Sequence, residues 1–363
     1  MSLEIGIVGL PNVGKSTLFS ALTHVSAEAA NYPFCTIDPN VGMVPLHDPR
    51  MYRLTDLVQP NKVVPAMLRV VDIAGLVKGA SEGEGLGNRF LGHIREVDAI
   101  AHVVRCFEDE NITHVSGSLD PLRDIETIQT ELILSDLELV ERKCQRTQKQ
   151  LKGNKALAAD IAVYEKVIEH LNEGKPARTL KVTEDSEDLI RELALITMKP
   201  TVYIANVSED GLKTPTEEEQ TLRSYAQKEG AEVIPICAQF ESELAEMDAE
   251  DAELFLEEMG IEESGVARLA QVGYHLLGQI TYFTAGKQEV RAWEIRDGWS
   301  APQAAGKIHT DFEKGFIRAE VYHYNDIDEL GSETAVKDAG RWRLEGKDYL
   351  VRDGDIIHFR FNV

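Results

Sequence analysis

Cysteine is scarce in this chain: Cys35, Cys106, Cys144 and Cys237 are the four in 363 residues, and no two form a C-x-x-C pair. That spacing suggests neither a zinc cluster nor a disulfide framework, so the thiols are read as reduced and mostly buried. Long apolar runs are missing as well. None approaches the roughly 18 residues that cross a bilayer, which argues against a membrane protein. Positive charge is also short: 38 Lys and Arg stand against 62 Asp and Glu, a formal net charge of −24. A protein that coats nucleic acid indiscriminately is thereby excluded, because phosphate would be repelled over most of its surface. The opening Met1-Ser2-Leu3-Glu4 lacks the basic start and apolar stretch of a secretory signal, and a cytoplasmic location is expected. Neither an internal repeat nor a low-complexity linker is found.

What is present is ordinary globular composition in a chain long enough for two or three units. Charge is distributed unevenly. Between Glu241 and Glu263 there are eleven acidic residues and no Lys or Arg, whereas Arg142, Lys143, Arg146, Lys149, Lys152 and Lys155 crowd one short stretch. Any contact with RNA must therefore be local.

The apolar run Leu3–Val8 ends at Gly9 and is followed from Lys15 to about His24 by helix-compatible residues, a strand, a loop and a helix. Further buried strands are expected at 63–72, 99–106, 200–206 and 232–237, spaced as a mostly parallel α/β sheet requires. Between them, Ile133, Leu137, Val140, Cys144, Thr147 and Leu151 repeat at three and four, and Leu157, Ile161, Tyr164, Ile168 and Leu171 do the same. With Lys152-Gly153-Asn154 between the runs, this predicts an antiparallel, coiled-coil-like helical hairpin inserted into the sheet domain. From about Thr281 short β-rich pieces are broken by Asp297-Gly298 and Asp353-Gly354. The expected division is 1–125 with 200–280 as the nucleotide-binding domain, 126–199 as the hairpin, and 281–363 as a small β-rich domain.

Gly9-Leu10-Pro11-Asn12-Val13-Gly14-Lys15-Ser16 matches G-x-x-x-x-G-K-[ST] in the strand-to-helix context that motif needs. Its glycines let backbone N–H groups turn toward phosphate oxygens, the helix N-terminus adds positive potential, Lys15 neutralises the β- and γ-phosphates, and Ser16 offers a hydroxyl to Mg²⁺. Residues Asn12 to Thr17 are thus the expected nucleotide-binding loop. Asp72-Ile73-Ala74-Gly75 supplies a D-x-x-G sequence, with Asp72 a candidate Mg²⁺ ligand and Gly75 a sensor of the γ-phosphate. Thr36 lies between the two motifs as the candidate switch threonine of the metal shell.

These motifs, with Leu76-Val77-Lys78-Gly79-Ala80-Ser81 and Gly83-Glu84-Gly85-Leu86-Gly87-Asn88 beyond them, resemble the translation-factor class of P-loop NTPases, the Obg family and within it the YchF subfamily. Where Ras-type enzymes carry a water-orienting glutamine after D-x-x-G, this chain has Leu76. An alkyl side chain makes no hydrogen bond, so slow intrinsic turnover is expected and another device must hold the water. The resemblance implies three: His114 in a mobile loop, K⁺ ligated beside the phosphates by Asn12, or a binding partner. The run 304–319, followed by Asp353-Gly354-Asp355-Ile356-Ile357, resembles a TGS domain, a β-grasp module. That likeness implies the ribosome or RNA as partner, with Lys307, Lys314 and Arg318 able to touch phosphate. Arg142, Arg146 and Lys149 share a helix face and offer another such surface.

Guanine-specific relatives carry N-K-x-D, whose aspartate accepts from guanine N1–H and its amino group. Here Asn206-Val207-Ser208-Glu209 lacks the lysine and has an acid one methylene longer. Adenine offers no such donors, so the main discrimination for guanine is lost. Resemblance to N-x-x-E proteins implies preference for ATP, with Asn206 and the Val207 backbone near the base and Cys237-Ala238 closing over it. The expectation is a monomeric ATPase that binds the ribosome. A GTP-specific Obg-like translation GTPase, and a nucleotide-gated RNA or ribosome adaptor with incidental hydrolysis, stay open as alternatives.

Overall fold

The computed structural model describes residues 3–29, 40–73, 86–109, 118–151 and 155–362. Its strands are β1 (Glu4–Val8), β2 (Val41–Pro45), β3 (Val63–Val64), β4 (Met67–Asp72), β5 (Ala99–Arg105), β6 (Thr201–Asn206), β7 (Val233–Ile236), β8 (Gln279–Ala285), β9 (Val290–Arg296), β10 (Phe316–His323), β11 (Arg343–Glu345) and β12 (Asp355–Phe361). The chain divides into two compact units, one containing Arg69–Val266 and the chain's start as far as Val25, the other containing Met43–Leu68 and Ala267–Val363.

In the first unit β4, β1, β5, β6 and β7 lie side by side and parallel. Every residue of β5 and β6 is buried, as a parallel sheet covered on both faces demands. Six residues, 9–14, separate the end of β1 from helix Lys15–Ala29, which leaves the phosphate loop at the carboxyl edge of the sheet. This is the expected α/β architecture.

The two long helices are Pro121–Gln150 and Leu157–Asn172. Asp120 caps the first by accepting from the Arg123 N–H at 3.2 Å, with a proline in the opening turn where a missing N–H costs nothing. Its N-terminal part packs Ile125 beside Val104 and Tyr203 of the sheet and Leu222 of helix Glu217–Glu229. Farther along, Ile133, Val140 and Cys144 meet Ile161, Tyr164, Val167 and Leu171. The first helix is therefore continuous across the expected boundary at 126, because one apolar stripe serves the sheet and then the second helix. The Lys152-Gly153-Asn154 turn lies outside the described residues.

Asp136 fixes this insertion to the chain that returns to the sheet. Wholly buried, its carboxylate accepts from Ile196 N at 2.9 Å, Thr197 N at 2.8 Å and Thr197 Oγ1 at 2.8 Å. Burial pushes its pKa up while those three donors oppose the shift.

In the second unit the sheet order is β11-β10-β12-β8-β9-β3, with β12 and β8 parallel and the β8–β9, β10–β12 and β10–β11 pairs antiparallel. Helix Ala301–Ile308 places Ala301, Ala304 and Ala305 against Tyr282, Trp293, Val321 and Ile357. The expected strand over 63–72 is two strands, since Pro65 between them has no N–H for a ladder. Val63–Val64 pairs in parallel with Val290–Arg291, while Met67–Asp72 reaches the β1 ladder. This pairing, with Arg50 bonded to Asp353 at 2.6 Å, draws 43–68 into the C-terminal unit, although the sequence reading placed them in the nucleotide domain. Among the described residues no helix is long and apolar enough to cross a membrane.

Asp136→Asn sets an amide group against a backbone donor and leaves that donor unpaired, at a cost of about 2 kcal/mol. Urea denaturation of the full chain is expected to show a lowered midpoint; an unchanged midpoint would mean that the lost hydrogen bond contributes nothing net.

Candidate functional site

The phosphate loop takes its shape from two residues with positive φ, Asn12 at 63° and Gly14 at 91°. Asparagine is among the few side chains that tolerate this region, whereas Gly14 has a second reason to lack one. A Cβ there would lie 2.1 Å from Asn206 Nδ2. Asn206, 3% exposed at the end of β6, donates from Nδ2 to Val13 O at 2.8 Å and accepts at Oδ1 from Ala238 N at 3.1 Å. One amide thus joins the phosphate loop to the turn after β7. Both bonds are buried, where an unpaired partner is costly.

Lys15 opens the helix, nearly buried, and its Nζ forms a short ion pair with Oδ1 of Asp72 at the end of β4. Asp72 is set beside Ile7 by the β1–β4 register, which brings the D-x-x-G aspartate to the phosphate loop. Ser16 and Thr17 are exposed on the first turn. Thr36, Gly75 and His114 lie outside the described residues.

A cleft of about 510 Å³ opens beside the loop, lined by Asn12, Gly14 and Thr17 on one side, by 206–210 and by 237–239, and by Phe107, Glu108 and Asp109. Val207 lines it, although its N–H is committed to Ile236 O at 2.9 Å and its side chain is buried. Beyond it Ser208 caps helix Glu209–Lys213 by accepting from Gly211 N at 3.3 Å, so Glu209 stands exposed in the first helical turn. Cys237 is buried at the start of helix Ala238–Leu244, and burial pushes its thiol up, which keeps it protonated and unreactive. One turn on, buried Glu241 accepts from Gly265 N at 2.7 Å and Val266 N at 3.2 Å, tying this helix to the end of the unit.

The geometry therefore joins Asn12, Gly14, Thr17, Asn206 and Val207 around one cleft, bonds Val13 O to Asn206, and pairs Lys15 with Asp72. Phe107–Asp109 was missed by sequence reasoning, which stopped at β5 as a strand. The only signal was an arginine closing an apolar strand, Arg105, next to an aromatic residue. As a metal site the donors are oxygens, the Ser16 hydroxyl and the Asp72 carboxylate, with no cluster of three His, Cys, Asp or Glu among the described residues. That set fits Mg²⁺, which keeps several waters and shares its ligands with phosphates rather than sitting in a protein cage.

Comparison with known proteins gives a consistent picture. Residues 4–143 match a family model described as a 50S ribosome-binding GTPase, and residues 279–362 match the YchF GTPase C-terminal model, described as a protein of unknown function. The chain is 56% identical over 366 residues to the ribosome-binding ATPase YchF of Bacillus subtilis (strain 168), and 54% identical over 364 residues to that of Escherichia coli O157:H7. Each alignment covers 100% of both chains. The solved YchF GTPase of Schizosaccharomyces pombe superposes with a TM-score of 0.90 at 40% identity, covering 99% of this chain and 97% of that one.

Gly14→Ala combines an unfavourable φ with a clash against Asn206 and is expected to lower nucleotide affinity by roughly tenfold or more. Calorimetric titration with Mg²⁺–ATP checks this; wild-type affinity would show that the loop opens without cost.

Proposed function

The chain belongs to the YchF family of P-loop NTPases, and on that premise we propose that it is a cytoplasmic, ribosome-binding ATPase. The observation that carries the choice of nucleotide is the place of Glu209. A carboxylate selects guanine only when held in line with its N1–H and amino group. Here the acid is exposed on a short helix, and the Asn206 side chain is bonded to Val13 and Ala238. The printed names of relatives differ on this point, ATPase for the bacterial proteins and GTPase for the fission yeast structure.

In this reading the loop amides and Lys15 hold the β- and γ-phosphates, and the base enters the cleft between 107–109 and 206–210. Ser16, Thr36 and Asp72 would hold Mg²⁺, which when bound supplies charge neutralisation at the phosphates. Lys15 swings from Asp72 to phosphate, and Asp72 is then available as an oxygen ligand. Gly75 is assigned the γ-phosphate contact. Water attacks in line, releasing ADP and phosphate; with Leu76 unable to orient it, that task falls to His114, to K⁺ near Asn12, or to the ribosome. The chain acts as a monomer.

Titrating the protein with Mg²⁺–ATP and Mg²⁺–GTP analogues at equal K⁺ is expected to give tighter ATP binding. A clear GTP preference would instead make it an Obg-type GTPase with an unusual base loop.

For the ribosome, the hairpin is the favoured surface. Arg142, Arg146 and Lys149 are exposed on the side of the first helix away from buried Cys144 and Thr147, and the acid paired with Arg142 is the exposed Glu138 at 3.7 Å. Such pairs contribute little and exchange readily for phosphate. Reversing Arg142, Arg146 and Lys149 to Glu is expected to weaken co-sedimentation with ribosomes by about tenfold or more and to flatten its salt dependence. Unchanged binding would move the interface elsewhere.

A further inference from the structure

The wall of the cleft at Phe107–Asp109 is held by a buried charge. Arg105, the last residue of β5, is 3% exposed, unusual for an arginine. Its Nε donates to Phe107 O at 3.0 Å and an Nη2 proton goes to Asp109 O at 3.3 Å. The guanidinium carbon stands 4.7 Å from the centre of the Phe107 ring. Burying a guanidinium is costly unless its donors are met, so these contacts define where the loop can rest.

We infer that Arg105 is a positioning residue for the nucleotide base: without lining the cleft itself, it sets Phe107 and the two following residues as the wall facing 206–210. This rests on the reading of the cleft as the base site. Two consequences follow from the chemistry. A planar fork can satisfy two carbonyls while stacking on a ring, which a lysine ammonium cannot reproduce. The carbonyls of Phe107 and Asp109 are engaged by Arg105, which leaves the Phe107 ring, a lining group of the cleft, rather than those acceptors to meet a base. An aromatic face accepts any base. Arg105 therefore governs how tightly a purine nucleotide is held, and the 206–210 side governs which one.

The test compares full-length wild type, Arg105→Lys, Phe107→Ala and the double variant for binding of Mg²⁺–ATP, Mg²⁺–GTP and magnesium tripolyphosphate, which has no base. Arg105→Lys and Phe107→Ala are each expected to lose roughly tenfold in ATP affinity. GTP should fall by the same factor, so that the ATP-to-GTP ratio is kept, and tripolyphosphate should bind as to wild type. The double variant should match Phe107→Ala within about twofold, since both substitutions remove the same wall. Normal ATP affinity in Arg105→Lys alongside a loss in Phe107→Ala would overturn the positioning role while leaving the cleft as the base site. An equal loss of tripolyphosphate in Arg105→Lys would overturn it too, showing general damage to the unit. Full ATP affinity in both single variants would remove the base site itself, and the inference with it. Should Arg105→Lys fail to fold by thermal melting, Arg105→Gln, which keeps a shorter planar donor group, is measured against the same outcomes.

Discussion

The side-chain amide of Asn206 is the bond on which the nucleotide-binding face depends. It ends a strand with every residue buried, and it reaches in two directions at once, to the carbonyl of Val13 and to the N–H of Ala238. Only an amide has a donor and an acceptor so placed; an aspartate would repel the Val13 carbonyl and an alanine would leave both backbone groups buried and unpaired. The same contact explains Gly14, whose missing Cβ leaves room for Nδ2. Phosphate loop, base loop and the turn before helix Ala238–Leu244 are thus positioned relative to one another by one residue, and the cleft between them inherits its dimensions from it.

Charge is handled in the same economical way. Lys15 and Asp72 neutralise each other where a triphosphate and a metal ion would replace both partners, which keeps the site from holding an isolated buried charge. With 62 acidic residues against 38 basic ones, a ribosome contact of the kind proposed for the hairpin would have to be local.

Much of this was legible in the sequence because glycine and charge at fixed spacing have few structural explanations. The phosphate loop, the strand that carries Asp72 and the paired helical stripes all follow from local rules. Non-local pairings were less visible. Nothing in Val63-Val64 announces that it pairs with β9 and not with β1; only Pro65 hints that a ladder stops there. The bonds from Asn206 to Val13 and Ala238 were not visible either, since a sequence motif shows which residue matters and not every atom it satisfies. Phe107 was passed over for a similar reason: its place beside the cleft depends on a buried Arg105, and burial of arginine runs against the expectation from composition.

The central claim is that the cleft between Phe107–Asp109 and Asn206–Asp210 is where the base of ATP lies, with its phosphates on the 9–16 loop. A crystal structure of the full chain with Mg²⁺ and a non-hydrolysable ATP analogue tests it most directly. The account predicts density for adenine within that cleft, with the triphosphate against the loop amides and Lys15 turned from Asp72 toward the phosphates. Adenine placed outside the cleft, or phosphates bound while Lys15 still pairs with Asp72, would contradict it.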